Sequence, residues 1–138
     1  MTNLAAPIAA LTTAAVLALG APAYASHGSD DNGGGGGDGR VVKTGSCSDG
    51  ARWKLKVKKN DGRLEVEGEV DSSRSGQTWR WRLMHNGSLS ASGVRTTGGR
   101  SGSFEVRRST VNSRGTDSFV FRARNTRSGE LCVGTVNH

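Results

Sequence analysis

Charged and apolar side chains alternate one for one through much of this chain beyond residue 51, and little else constrains its fold so tightly. Trp53, Leu55 and Val57 alternate with Arg52, Lys54, Lys56 and Lys58. Leu64, Val66 and Val70 alternate with Arg63, Glu65, Glu67 and Glu69. Trp79, Trp81 and Leu83 enclose Arg80 and Arg82, Phe104 and Val106 flank Glu105, and Phe119 and Phe121 flank Val120. A period of two puts one set of side chains on each face of an extended strand, so each segment can bury one face and wet the other. No stretch beyond residue 40 carries the 3.6-residue apolar period of a helix.

Turn residues fix how these strands pair. Asp61-Gly62 is a favoured two-residue hairpin turn. With it at the tip, Lys58 faces Glu65, Lys56 faces Glu67, Lys54 faces Glu69 and Arg52 faces Asp71. Val57 then meets Val66 and Trp53 meets Val70 on the other face. A slip of one residue would turn charges into the core, so the register is strongly specified. The lysine stripe is consumed by glutamates and is not counted as a site for a polyanion. The second hairpin runs from Trp79 to Val94 with Asn86-Gly87 near its tip. A two-residue turn pairs Leu83 with Ser90. A three-residue loop, His85-Asn86-Gly87, pairs Leu83 with Leu89 and Trp81 with Ala91, matching apolar with apolar, and is the preferred expectation.

Further strands are expected at Val41–Cys47, Ser103–Ser109, Thr116–Asn125 and Leu131–Val136. Seven or eight short antiparallel strands in about a hundred residues predict an all-β sandwich. Strands 52–58, 63–70 and 103–109 would form one sheet, and 78–85, 88–95, 116–125 and 131–136 the other. This order resembles an immunoglobulin-like or fibronectin type III-like sandwich, with Trp79 or Trp81 as the buried core tryptophan. The two cysteines near the domain ends, and the absence of Tyr beyond residue 25, differ from antibody domains. Trp53-Lys54-Leu55-Lys56-Val57, Gly76-Gln77-Thr78-Trp79-Arg80, His85-Asn86-Gly87, Gly102-Ser103-Phe104-Glu105-Val106 and Ala123-Arg124-Asn125 ahead of Gly129-Glu130-Leu131-Cys132 are together similar to a group of small secreted actinobacterial proteins. Those patterns are turn and core signals, so the resemblance implies a fold and a compartment rather than an activity.

Residues 1–25 read as a signal peptide. An apolar run shorter than a membrane span ends at Ala23-Tyr24-Ala25, which matches the small-x-small cleavage rule. Residues 26–39, with five consecutive glycines and three aspartates, read as a disordered, weakly acidic linker. His27 there stands near Asp30 and Asp31 but has no second histidine close by, so no metal site is expected. Residues 40–138 form one domain, a secreted monomer with no later membrane span. Cys47 and Cys132 are the only cysteines, and in an exported chain the pair reads as one disulfide clasping the first strands to the last. Closing a loop of that length stabilises by about 4–5 kcal/mol in the chain-entropy account.

Charge carries the functional hint. All 19 basic residues lie beyond residue 39 while three of the 12 acidic residues precede it, so the domain bears nine acids and a formal charge of +10. Arginines number 14 and lysines five. Arg80 and Arg82 point outward from one strand and Arg122 and Arg124 from another, and the sandwich order makes those strands neighbours. Arg95, Arg100 and Arg127 are expected at the rim. Arginine forks suit phosphate and sulfate, so these four form a candidate polyanion-binding face. Catalysis is not expected: His85 and His138 lack a nucleophile motif, His85 lacks metal-ligand partners, and Gly98-Gly99-Arg100-Ser101-Gly102 opens no helix and reads as a flexible connection. No cofactor or metal is implied. The reading is a secreted, non-catalytic binding or structural module for anionic envelope polymers or an acidic protein. The alternative is a small-ligand carrier or an inhibitor of extracellular enzymes using the 96–102 loop. Nucleic acid is disfavoured because exposed aromatics for base stacking are scarce.

Overall fold

A computed structural model describes residues 39–138; the expected signal peptide, and the linker up to residue 38, lie outside the described residues. The described residues form eight strands: β1 (Arg40–Ser46), β2 (Arg52–Asn60), β3 (Arg63–Asp71), β4 (Thr78–His85), β5 (Ser88–Thr96), β6 (Ser103–Val111), β7 (Ser118–Asn125) and β8 (Leu131–Asn137). They form two antiparallel sheets, ordered β1-β2-β3-β6 and β5-β4-β7-β8. The inward residues of both sheets make one core, in which Trp79, Trp81, Phe119, Phe121, Leu55 and Leu64 are the largest buried side chains. The molecule is therefore an all-β sandwich, with both candidate core tryptophans inside it.

The β2–β3 hairpin has the register that its turn and charges specify, from Arg52 opposite Asp71 to Asn60 opposite Arg63. Asp61 and Gly62 both have positive φ (49° and 74°), the backbone of the two-residue turn that follows strand twist. Three of the four expected ion pairs close: Lys54–Glu69 at 2.6 Å, Lys58–Glu65 at 3.1 Å, and Lys56–Glu67. Arg52 and Asp71 face each other without pairing; Asp71 Oδ1 instead accepts the Ser73 N–H at 2.9 Å.

The β4–β5 hairpin departs from the three-residue loop. Asn86 and Gly87 alone make the tip, at φ 48° and 79°, and His85 pairs with Ser88. A two-residue turn by itself would set Ser90 against the buried Leu83. A bulge at Ser90 removes that conflict: Met84 pairs with Leu89, and beyond the bulge Leu83 pairs with Ala91 and Trp81 with Gly93. One residue left out of the ladder lets turn chemistry and core facing both be satisfied. Leu89 consequently points outward, 58% exposed.

Close packing needs glycine at Gly45 and Gly134, which lie against opposite parts of the Trp53 indole. A Cβ at either would fall 2.6 Å or 2.5 Å from the ring. Trp53 thus closes the side of the sandwich where β1 and β8 come together. Edge strands carry core-facing charges: Lys43 of β1 opposite Leu55, Arg95 of β5 opposite Trp79, and Arg108 of β6 opposite Val66. Such charges oppose edge-to-edge strand addition. The Arg108 guanidinium lies 5.1 Å from the Trp81 ring centroid, a cation–π contact.

Candidate functional site

Sheet β5-β4-β7-β8 contains no Asp or Glu in any of its strands. Its core-facing positions are taken by Trp79, Trp81, Leu83, Phe119, Phe121 and Ala123, so the intervening Arg80, Arg82, Arg122 and Arg124 must face solvent, and all four are exposed. The β4–β7 register sets Arg80 opposite Arg124 and Arg82 opposite Arg122. The structure therefore gathers the four expected residues into a two-by-two array. Among the described residues, none of the four forms an ion pair.

The rows extend to both edges. Arg80 also pairs with Val94, Arg82 with Ser92, Arg124 with Leu131 and Arg122 with Val133. A concavity of about 450 Å³ runs over this array, with Val94 on one side and Leu131 on the other. A second, of about 530 Å³, adjoins it at the β7–β8 turn and shares Arg80 and Arg124 while adding Arg127. Of the three rim arginines expected from sequence, only Arg127 takes part. Arg95 pairs with the core-facing Trp79 and so leaves the sheet on the wrong side, and Arg100 sits in the turn before β6. Among the described residues, three of the four exposed large hydrophobics, Leu89, Val94 and Val133, belong to this same face.

The opposite sheet shows what compensation looks like. Lys56 and the Arg107 guanidinium (2.7 Å) both reach the buried Glu67 carboxylate, and Arg107 also meets Glu105 at 3.3 Å. The Lys58 ammonium, with Asn60 and Arg107 assisting, holds the Glu65 carboxyl below its ordinary range. The hydrogen bond to Glu69 holds the Lys54 ammonium above its ordinary range against the opposing effect of burial.

A cluster that sequence reading missed lies at the β4–β5 hairpin tip. His85, read from the sequence only as lacking metal-ligand partners, sits in a hydrogen-bonded cluster with Asp117, Thr110 and Asn86. Its Nε2 lies 2.5 Å from Asp117 Oδ1 and its Nδ1 lies 3.1 Å from Thr110 Oγ1, while the ring stacks on Phe119 at 4.5 Å. Asp117 is fully buried and also accepts from Asn86 Nδ2 at 3.1 Å and from the Ser113 N–H at 3.0 Å. Burial pushes the Asp117 carboxyl up, but the bonds from His85, Ser113 and Asn86 outweigh it and leave the group below its ordinary range. An ionised Asp117 fixes the proton of a neutral imidazole on Nε2, which leaves Nδ1 to accept from Thr110. The arrangement clamps β4, β6 and the start of β7 together. Among the described residues no group of three or more His, Cys, Asp and Glu is placed to hold a metal ion.

Other expectations concern the loops and the cysteines. Cys47 and Cys132 form the disulfide, linking the residue after β1 to β8 across 85 positions. Beside it the Glu130 carboxylate accepts the backbone N–H groups of Asp49 (3.1 Å) and Ala51 (2.7 Å), tying the β1–β2 turn to β8. The glycine-rich segment 98–102 is pinned rather than a loose connection. Gly98 and Ser103 exchange two backbone hydrogen bonds, Gly102 accepts from Ser72, and Ser75 Oγ donates to Gly99. No helix of the described residues is long and apolar enough to cross a membrane. No protein family matches the chain, and no curated protein or solved structure matches it either.

Proposed function

We propose that this protein is a secreted, non-catalytic binding module whose arginine face associates with anionic polymers of the cell envelope or with an acidic protein. The observation that carries the reading is the two-by-two array of Arg80, Arg82, Arg122 and Arg124 on a sheet free of carboxylates. Like charges directly opposed across strands cost stability, and nothing within the described fold relieves them. A bound anion would. Arginine donates in a planar fork that fits phosphate, sulfate and carboxylate, and it is weakly hydrated, so it gives up water readily on binding. The leader at 1–25 and the Cys47–Cys132 disulfide support an extracellular location. The strand orders β2-β3-β6 and β5-β4-β7-β8, with β1 as an added edge, support the fibronectin type III-like classification.

The test is binding of the disulfide-intact protein to immobilised dextran sulfate across a salt series. Changing Arg80, Arg82, Arg122 and Arg124 to Ser together is expected to lower affinity at least tenfold and to reduce the dependence on log salt by up to about four. Changing Arg95 and Arg100 to Ser removes exposed arginines from elsewhere and is expected to do far less. Equal losses in the two variants would reduce the array to net charge and end the proposal.

A further inference from the structure

We infer that the arginine face is a linear track for a polyol phosphodiester chain that runs parallel to β4 and β7, with one phosphate at each of three steps. The inference rests on the anion-binding reading above and names its ligand. The first step is the Arg82–Arg122 pair, the second is the Arg80–Arg124 pair, and the third is Arg127 at the β7–β8 turn. The two concavities share Arg80 and Arg124, so the three steps lie along one continuous trough.

Spacing sets the repeat of the ligand. Successive arginines on each strand are two residues apart, which at 3.3–3.4 Å per residue separates the first two steps by about 7 Å. A three-carbon polyol between two phosphates spans a similar length when extended. Pairing sets the charged group. At each of the first two steps the guanidinium groups come from neighbouring strands about 5 Å apart at the backbone, so one anion is approached from two sides. A carboxylate holds its acceptor sites in a single plane, so two forks that close on it from either side must both meet that plane edge-on. A tetrahedral phosphodiester offers oxygens in more than one plane and can take both forks. The flanks set the linker. Val94 and Leu131 line the sides, Ser92 is beside Arg82, and the one aromatic ring at the trough, Trp81, is buried beneath its floor. These walls suit a short aliphatic spacer and offer nothing on which a nucleobase could stack.

The experiment uses glycerol-phosphate oligomers carrying one, two, three and four phosphates, titrated against the disulfide-intact protein at low salt by calorimetry. Affinity is expected to rise about five- to tenfold with each phosphate up to the third and then to flatten. Arg127→Ser is expected to leave the one- and two-phosphate ligands unchanged and to bring the three-phosphate ligand down to the two-phosphate level. Arg82→Ser, at an exposed position on the outward side of β4, is expected to weaken every oligomer of two or more phosphates. A rise that continues undiminished to four phosphates, or an Arg127→Ser effect that is the same at every length, would overturn the track. Poly-L-glutamate and dextran sulfate of matched charge are run alongside. If either binds while the oligomers do not, the phosphodiester assignment fails and the anion-binding reading stands, in favour of a carboxylate or sulfate partner respectively. If none of the three binds, both fail.

Discussion

On the outer face of β1-β2-β3-β6 each lysine stands opposite a glutamate; on the outer face of β5-β4-β7-β8 each arginine of the array stands opposite another arginine. Both faces are built by the same means, polar residues placed two apart on strands whose other side is core. They differ in where the partner charge comes from. The first face finds it within the fold, with three lysine–glutamate pairs and an arginine that bridges three carboxylates. The second has none in its four strands. A net basic charge read from composition therefore hides a local difference: Lys54, Lys56 and Lys58 have carboxylate partners on one face, and among the described residues the four arginines of the array have none on the other.

The largest expected break in this contrast is at Glu67. It is 3% exposed and serves Lys56 and Arg107 together, so Glu67→Ala strands two cations beside a buried site. Removing one member of a fully buried pair costs about 3–5 kcal/mol; with Arg107 more than half exposed, about 2 kcal/mol is expected here, read by urea denaturation. Arg80→Ser on the opposite face should stay within about 0.5 kcal/mol of the parent. Equal costs would mean that the arginines have structural partners and that the contrast is false.

Acid should separate the faces in the same direction. The Glu65 and Asp117 carboxyls are held below their ordinary ranges in the fold. A depressed folded value stabilises above the unfolded value near pH 4 and loses that stabilisation as pH falls through the folded value. Melting temperature should therefore hold steady through the weakly acidic range and drop below about pH 4. Glu65→Gln with Asp117→Asn should flatten the drop at the cost of a lower plateau. Arg82→Ser with Arg122→Ser should leave the acid limb where it is, since no carboxylate among the described residues pairs with either. An acid limb that moved with the arginines would reveal a carboxylate partner for them.

What could be read from the chain follows the agreement of independent signals. In the β2–β3 hairpin the Asp61-Gly62 turn, the apolar alternation and the charge order all require one register, and that register forms. In the β4–β5 hairpin the turn asks for two residues while the side chains ask for a different facing, and alternation alone does not announce that a bulge at Ser90 can satisfy both. The arginine array was legible because i, i+2 spacing and strand order sufficed to place it. Its rim was not: Arg95 and Arg127 differ only in which side of an edge or turn they leave from. Asp117 was invisible because it lies just outside β7 and its partners His85 and Asn86 are more than 30 residues away. The sequence-level hint was only the odd presence of an acid ahead of the otherwise uncharged Ser118–Phe121 run.

The smallest expected effect is the most discriminating. Arg82 lies opposite Arg122 on one side and Ser92 on the other. Arg82→Glu converts a like-charge cross-strand pair into an opposite-charge pair at an exposed position, which should stabilise the sandwich by about 0.2–1 kcal/mol. The same change places a carboxylate in the middle of the trough and should abolish binding of dextran sulfate, well beyond the loss from Arg82→Ser. Stability and binding then move in opposite directions from one substitution, with thermal melts and a binding titration as the readouts. An array that only holds a sheet face in solution would gain the same stability from Arg82→Glu, but its binding of dextran sulfate would fall no further than for any other exposed arginine changed to Glu. A loss of binding specific to Arg82→Glu, beside a gain in stability, would place the anion at the array and show that the charge the fold bears there is the charge the ligand uses.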